Sequence, residues 1–267
     1  PIASADAVLR CAHRTPAMPP AHDDSGADDA DADTDADFPA PCLDAETLGD
    51  VVARERRTSG IALRARESGR TYSYRDFITT SYKAGNVLRH LGVRPGDEVC
   101  IAAEHVPEPV LSFYGAAQLG AVTRFGTAGR DPPRVAVAPA DREAAFDLPP
   151  GHHLAVYDDP PEDPAATHWE AEVWSENPAV HPIAVDGGDP LLVAGDRTHT
   201  HSEVLTAAAE VIADAGIDPG TEVMLCGPPT DPAVVVAGLV APILAGATIV
   251  LPTAADGDAT GEFPIAV

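Results

Sequence analysis

The feature that most constrains this chain is an eight-residue phrase written twice. Gly92-Val93-Arg94-Pro95-Gly96-Asp97-Glu98-Val99 returns as Gly216-Ile217-Asp218-Pro219-Gly220-Thr221-Glu222-Val223. In each copy a glycine stops a helix in the left-handed conformation that other residues adopt only with strain. A Pro-Gly turn follows, then a Val-rich stretch suited to a buried strand. Beyond each strand lies an apolar helical stretch, ending at Gly120-Ala121-Val122 in one copy and Gly246-Ala247-Thr248 in the other. Helix, turn, strand, helix, glycine and strand spell a βαβ crossover, right-handed by the general rule, twice over. The chain therefore reads as α/β, layered, with two pseudo-repeated βαβ units.

The flanking stretches supply the rest of the layers. Glu46 to Arg56 reads as a helix with Leu48, Val51 and Val52 inward, Gly60 to Arg66 as a strand, and Tyr74 to His90 as a longer helix stopped by Gly92. Residues 129–189, rich in Pro and Asp, read as an irregular connection packed over the core, with short strands at Arg134–Val137 and His153–Tyr157 and a third just beyond, at Leu191–Val193. Residues 1–44 read as an acidic segment without order, and the α/β region as residues 45–267. From Pro16 to Pro41 the composition is Pro, Asp and Ala, and it offers too little apolar surface to offset the entropy of ordering.

From Pro232 to Pro252 there is no charged residue, a length that reaches a membrane span. Gly238, Pro242 and Gly246 interrupt it, and it ends in β-branched residues at Thr248-Ile249-Val250. A buried helix, a glycine stop and a buried parallel strand account for this pattern, with a membrane span as the competing reading. The first copy of the repeat carries Glu108, Gln118 and Arg124 where the second is apolar, which favours a soluble origin for both.

Charge narrows the setting. The chain has 42 acidic and 17 basic residues, a net charge of −25, and Lys83 is its single lysine. Surface charges repel over about 10 Å at 0.1 M salt but only about 3 Å at 1 M. The composition thus suits the salt-rich cytoplasm of an extreme halophile, a haloarchaeon in kind, and disfavours nucleic acid and anionic membranes as partners. The N-terminus shows no basic region before an apolar core, and so no signal peptide. The cysteines (Cys11, Cys42, Cys100, Cys226) are scattered, without metal-ligand spacing.

Few residues invite chemistry. His199 and His201 alternate with threonines and would share a strand face, but no third ligand lies nearby. A helix start capped by Thr200 or Ser202 is the better account, so no metal site is assigned. His152-His153 beside Asp158-Asp159 reads as a polar loop, and Ser112, Ser202 and Cys226 have no hydrolase elbow around them. No catalytic residue is assigned.

Further phrases, taken in order, carry a resemblance. Arg70-Thr71-Tyr72-Ser73-Tyr74-Arg75-Asp76-Phe77, the Leu91–Val99 phrase, Leu119-Gly120-Ala121-Val122, Asp189-Pro190-Leu191-Leu192-Val193 and Leu244-Ala245-Gly246-Ala247-Thr248-Ile249-Val250-Leu251-Pro252 resemble the front part of the adenylate-forming superfamily. That superfamily holds acyl-CoA synthetases, luciferases and peptide-synthetase adenylation domains. The resemblance covers roughly Glu46 to Pro252 and implies the N-terminal part of the adenylate-forming fold.

It also implies a Ser/Thr/Gly-rich loop with a lysine after Leu192-Val193, wrapping nucleotide phosphates with backbone N–H groups and hydroxyls. Here the chain reads Ala194-Gly195-Asp196-Arg197-Thr198-His199-Thr200-His201, so the loop is expected to be deleted. Gly195, Arg197, Thr198 and Thr200 are the remnant assigned to cofactor binding. Asp196 puts a negative charge where phosphates would sit. The family's second lysine, in a C-terminal domain, and its adenine and ribose segments find no counterpart before Val267, and Lys83 matches neither lysine. Cys226-Gly227-Pro228-Pro229-Thr230-Asp231 falls where the family shapes its acyl pocket, and Asp231 disfavours an apolar acyl group.

The resemblance so qualified implies a non-catalytic acyl-CoA synthetase-like protein, a pseudoenzyme with a binding, regulatory or interaction role. The alternative is a residual or split AMP-forming acyl-CoA or acetyl-CoA ligase needing a partner chain, and only then are ATP with Mg²⁺ and CoA expected as cofactors. A decayed gene fragment is a third reading. Because later segments of the relatives are missing, apolar surface near Val234–Leu244 is expected to be exposed and covered by a second copy or a partner protein.

Overall fold

A computed structural model describes residues 37–129 and 131–253. The acidic run within Pro16–Pro41 lies outside the described residues as far as residue 36. Residues 37–42 are anchored to the rest of the chain: Pro39 is buried, Gly60 N donates to Asp37 O (3.0 Å), and Cys42 N donates to Leu244 O (3.0 Å). Packing thus extends at least eight residues ahead of the Ala45 boundary read from composition.

One helical turn follows, α1 (Leu48–Val51), closed by a reciprocal cap between Thr47 and Asp50. A 3₁₀ turn at Arg54–Arg56 comes next, so the helix expected from Glu46 to Arg56 breaks in two, although Leu48, Val51 and Val52 are buried as read. β1 (Ile61–Ala65) and β2 (Thr71–Ser73) pair antiparallel. The Ser73 hydroxyl then accepts from Asp76 N and starts α2 (Tyr74–His90), with the bounds its apolar spacing gives.

The repeat folds twice in the same way. In the first copy β3 (Glu98–Ile101), α3 (Pro107–Ala117) and β4 (Val122–Phe125) form a parallel unit with Glu98 opposite Val122. After the intervening elements β5 (Val135–Pro139), β6 (His153–Tyr157), β7 (Thr167–His168), α4 (Trp169–Ser175), β8 (Pro190–Ala194), β9 (Arg197–Thr200) and α5 (His201–Ala215), the second copy begins. Its β10 (Glu222–Met224) lies parallel to β11 (Thr248–Leu251), with Glu222 opposite Thr248. Gly96 N donates to Gly120 O (2.8 Å) as Gly220 N does to Gly246 O (3.0 Å). Val122 N meets Asp97 O (2.9 Å) as Thr248 N meets Thr221 O (2.8 Å). All four turn glycines have positive φ, between 66° and 83°. Sequence repeat and backbone repeat coincide.

The copies sit in different sheets. The smaller runs β10-β11-β1-β2, the larger β7-β6-β5-β3-β4-β8-β9, parallel except for its last pair. The stretch read as a connection over the core thus supplies β5, β6 and β7 of the larger sheet, and β5 is buried throughout. α3 is buried at every residue and apolar apart from Glu108 and Ser112, as suits a helix enclosed all round. Two buried hydroxyls tie the copies together: Tyr74 donates to Ala247 O (2.6 Å) and Tyr114 to Leu239 O (2.8 Å).

The helix of the second copy is α6 (Pro232–Val234), a π-helical stretch (Val235–Val240) and α7 (Ala241–Ala245) in succession. Pro242 brings no N–H and crowds the carbonyl four residues before it. The turn ahead of it widens accordingly, with Ala241 N reaching Val236 O. Every residue from 233 to 252 is buried. This corrects the expectation of exposed apolar surface at Val234–Leu244, which α5, residues 37–42 and Arg56 (Nη2 to Ile243 O, 2.8 Å) cover within the same chain. Among the described residues no helix is long and apolar enough to cross a membrane, and the charge-free run is core.

Candidate functional site

Ligands of open α/β sheets gather at the carboxyl ends of parallel strands. β8 lies parallel to β4, and its carboxyl end leads directly into β9. Ala194 stands opposite Arg197, so Gly195 and Asp196 alone make the turn, with Gly195 at φ +59°. Both are exposed. A turn of two residues offers no run of converging N–H groups, so it does not fit a nucleotide triphosphate.

The four residues assigned to cofactor binding are distributed rather than convergent. Arg197 is exposed and pairs with Glu203 (3.4 Å), and Thr198 is exposed on the β9 edge. Thr200 caps α5: its hydroxyl accepts from Glu203 N (3.2 Å), and the Glu203 carboxylate accepts from Thr200 N (3.2 Å). That backbone bond, followed by Arg197, lowers the Glu203 pKa. A second guanidinium, Arg124 on β4, comes to 3.5 Å from Gly195 O, but Glu98 holds it with two bonds of 3.0 Å. Each cation near the turn is already matched by a carboxylate, which leaves the Asp196 charge to face any incoming phosphate.

The histidines of the same run are structural. His199 is buried in β9, its Nδ1 3.7 Å from Glu203 Oε2, and burial followed by Arg197 lowers its pKa. His201 is fully buried and its Nδ1 accepts from Leu48 N (3.0 Å), which joins α5 to α1. Among the described residues no group of three or more His, Cys, Asp or Glu is placed to hold a metal. Asp231, expected to disfavour an apolar acyl group, caps α6 by accepting from Ala233 N (2.9 Å). The Ser112 hydroxyl accepts from Trp169 Nε1 (2.9 Å) and that of Ser202 donates to Gly187 O (2.8 Å), so neither is poised as a nucleophile. An open groove of about 590 Å³ lies elsewhere, lined by Leu43, Glu46, Asp186, Ser202 and Leu205 among others and by none of the four assigned residues.

Residues 51–190, just over half of the chain, match the AMP-binding enzyme family. A rice protein (Oryza sativa subsp. japonica), 4-coumarate--CoA ligase 3, is 40% identical over 57 residues, 21% of this chain and 10% of its own. The anthranilate CoA ligase AuaEII, solved with anthranoyl-AMP, superposes with a TM-score of 0.66 at 20% identity, over 77% of this chain and 45% of that one. Apo MatB from Rhodopseudomonas palustris gives 0.65 at 14% identity, over 78% and 45%. The chain spans less than half the length of these solved relatives, and the likeness establishes the mixed α/β fold of the front part of adenylate-forming enzymes.

Proposed function

The chain belongs to the AMP-binding enzyme family, and from that membership we propose that it is an acyl-CoA synthetase-like protein that forms no acyl-adenylate by itself and serves a binding, regulatory or interaction role. One observation carries the reading: two residues, Gly195 and Asp196, stand where the resemblance calls for a phosphate-wrapping loop. Adenylation brings a carboxylate up to a polyanionic triphosphate, so aimed donors and cations must offset the repulsion in the transition state. Losing one preorganised donor costs about 100- to 1000-fold in rate, and a shortened loop loses several together. Arg197 and Arg124 do not compensate, since Glu203 and Glu98 hold them.

The test is pyrophosphate release from purified chain with ATP, Mg²⁺ and a panel of short and long carboxylic acids in molar KCl. No acid-dependent release is expected. Turnover that Arg197→Ala abolishes would overturn the reading.

A second reading, a residual or split ligase needing a partner chain, draws on the match of residues 51–190 to the AMP-binding enzyme family. It requires turnover once a polypeptide with the rest of the fold is added, with ATP, Mg²⁺ and CoA supplied. On either reading, the net charge of −25 with one lysine supports a setting in the salt-rich cytoplasm of a halophile.

A further inference from the structure

In a chain this acidic, guanidinium groups without a carboxylate partner stand out: Arg54 and Arg57 both act on Tyr82 of α2, and Arg89 acts on its neighbour His181. Arg54 lies over the Tyr82 ring, 5.3 Å from its centroid, and His181 stacks on that ring at 5.7 Å and 10°. Arg89 and Arg54 both act on His181, and Arg54 acts on Arg57. Arg54 gives one nitrogen to Pro178 O. Its Nε, Arg57 Nε and Nη2, Arg89 Nε and both ring nitrogens of His181 are buried without a partner. His181 is only 7% exposed. Gly85 makes room for the imidazole, since a Cβ there would lie 2.6 Å from Nε2. Glu55 is near enough to act on Arg57 but forms no ion pair with it, and Glu176 is held by His90 (3.2 Å).

Buried charged donors left unpaired are costly, so this arrangement lacks an acceptor. We propose that Arg54, Arg57, Arg89 and His181 form a binding site for a phosphate-type oxyanion. Guanidinium forks match the tetrahedral oxygens of phosphate better than a spherical halide. Burial, then Arg89 and Arg54, lower the His181 pKa to about 4, so near neutral pH the ring offers one donor and one acceptor. Monohydrogen phosphate has acceptor oxygens for the arginines and one hydroxyl for the imidazole acceptor. The segment carrying His181 is itself anchored on α2, where Asn86 Nδ2 donates to Asn177 O (2.8 Å).

The site stands apart from the adenylation reading and is tested apart from it. Titration calorimetry of the whole chain with inorganic phosphate, and separately with glycerol phosphate, is run at constant ionic strength with chloride as the balancing ion. Saturable binding is expected, weakened at least about tenfold in Arg57→Gln and in Arg89→Gln and unchanged in the exposed control Arg142→Gln, whose guanidinium pairs with Glu104. Tighter binding of the ester points to the phosphoryl group of a larger ligand, and tighter binding of inorganic phosphate to the free ion. Circular dichroism confirms that each variant is folded, and thermal stabilisation by phosphate over chloride gives a second readout. Absence of saturable heat, or equal affinity in both arginine variants, overturns the proposal.

Discussion

Glu108 carries its carboxylate almost wholly buried in α3, where Arg70 meets it with bonds of 2.6 and 3.0 Å. Such a pair is held in place by the cost of breaking it rather than by its net gain over apolar packing. Arg70→Ala is therefore expected to lower stability by about 3–5 kcal/mol in urea unfolding, while the paired change Arg70→Met with Glu108→Leu recovers most of that loss. An equal loss in both would show that the charges themselves stabilise the fold. His201 gives a second test. Burial lowers its pKa from 6.5 to about 4 against the pull of Asp189 and Asp50. The unfolded chain then binds the proton more readily than the folded one between those values, so the stabilisation is complete above pH 6.5 and is lost as pH falls toward 4. Full loss amounts to about 3 kcal/mol for this one residue. His181, also lowered to about 4, titrates in the same direction. His201→Gln is expected to reduce, though not abolish, the fall in stability between pH 7 and pH 4.5, and an unchanged fall would remove His201 as a source.

The two copies of the βαβ unit provide an internal control at the scale of elements. Gly120 and Gly246 hold matching places with φ +66° and +78°, so alanine costs about 1–2 kcal/mol of backbone strain at either. At Gly120 a Cβ would find its nearest neighbour at 3.4 Å, whereas at Gly246 it would run into the carbonyl of Pro39. Gly120→Ala is expected to stay near that backbone cost. Gly246→Ala should exceed it and expose residues 37–45 to limited proteolysis, and equal losses would mean that the N-terminal strap does not pack there. The difference also marks what was legible in the sequence. Glycine and Pro-Gly phrases encode backbone conformation locally, so the repeat and the α2 bounds could be read from them. Thr200 and Glu203, three residues apart, likewise signal a cap within one turn. Phe38 and Pro39 carry no such signal, because their places are set by Gly60, Gly220 and Gly246, far along the chain. β5 and β6 were visible as short apolar runs and β7 was not, while their membership of the larger sheet depends on the pairing of β5 with β3. The bond from Leu48 N to His201 spans 153 residues, and no local pattern announces it.

For the whole molecule, a net charge of −25 implies self-repulsion that salt relieves. Folded fraction, followed by circular dichroism, is expected to rise from low salt to molar KCl, and an equal fraction at both would remove the halophile argument. The smaller sheet has a different consequence, one of timing. It joins β1 and β2 from the front of the chain to β10 and β11 from its far end, with Leu63 opposite Ile249. At about 5–20 residues per second, a ribosome makes β1 on the order of ten to forty seconds before β11. Through that interval one edge of the new hairpin has no neighbour, the kind of edge on which other nascent chains can add as strands. Producing this protein in good yield is thus a matter of shielding β1 until the last strand arrives.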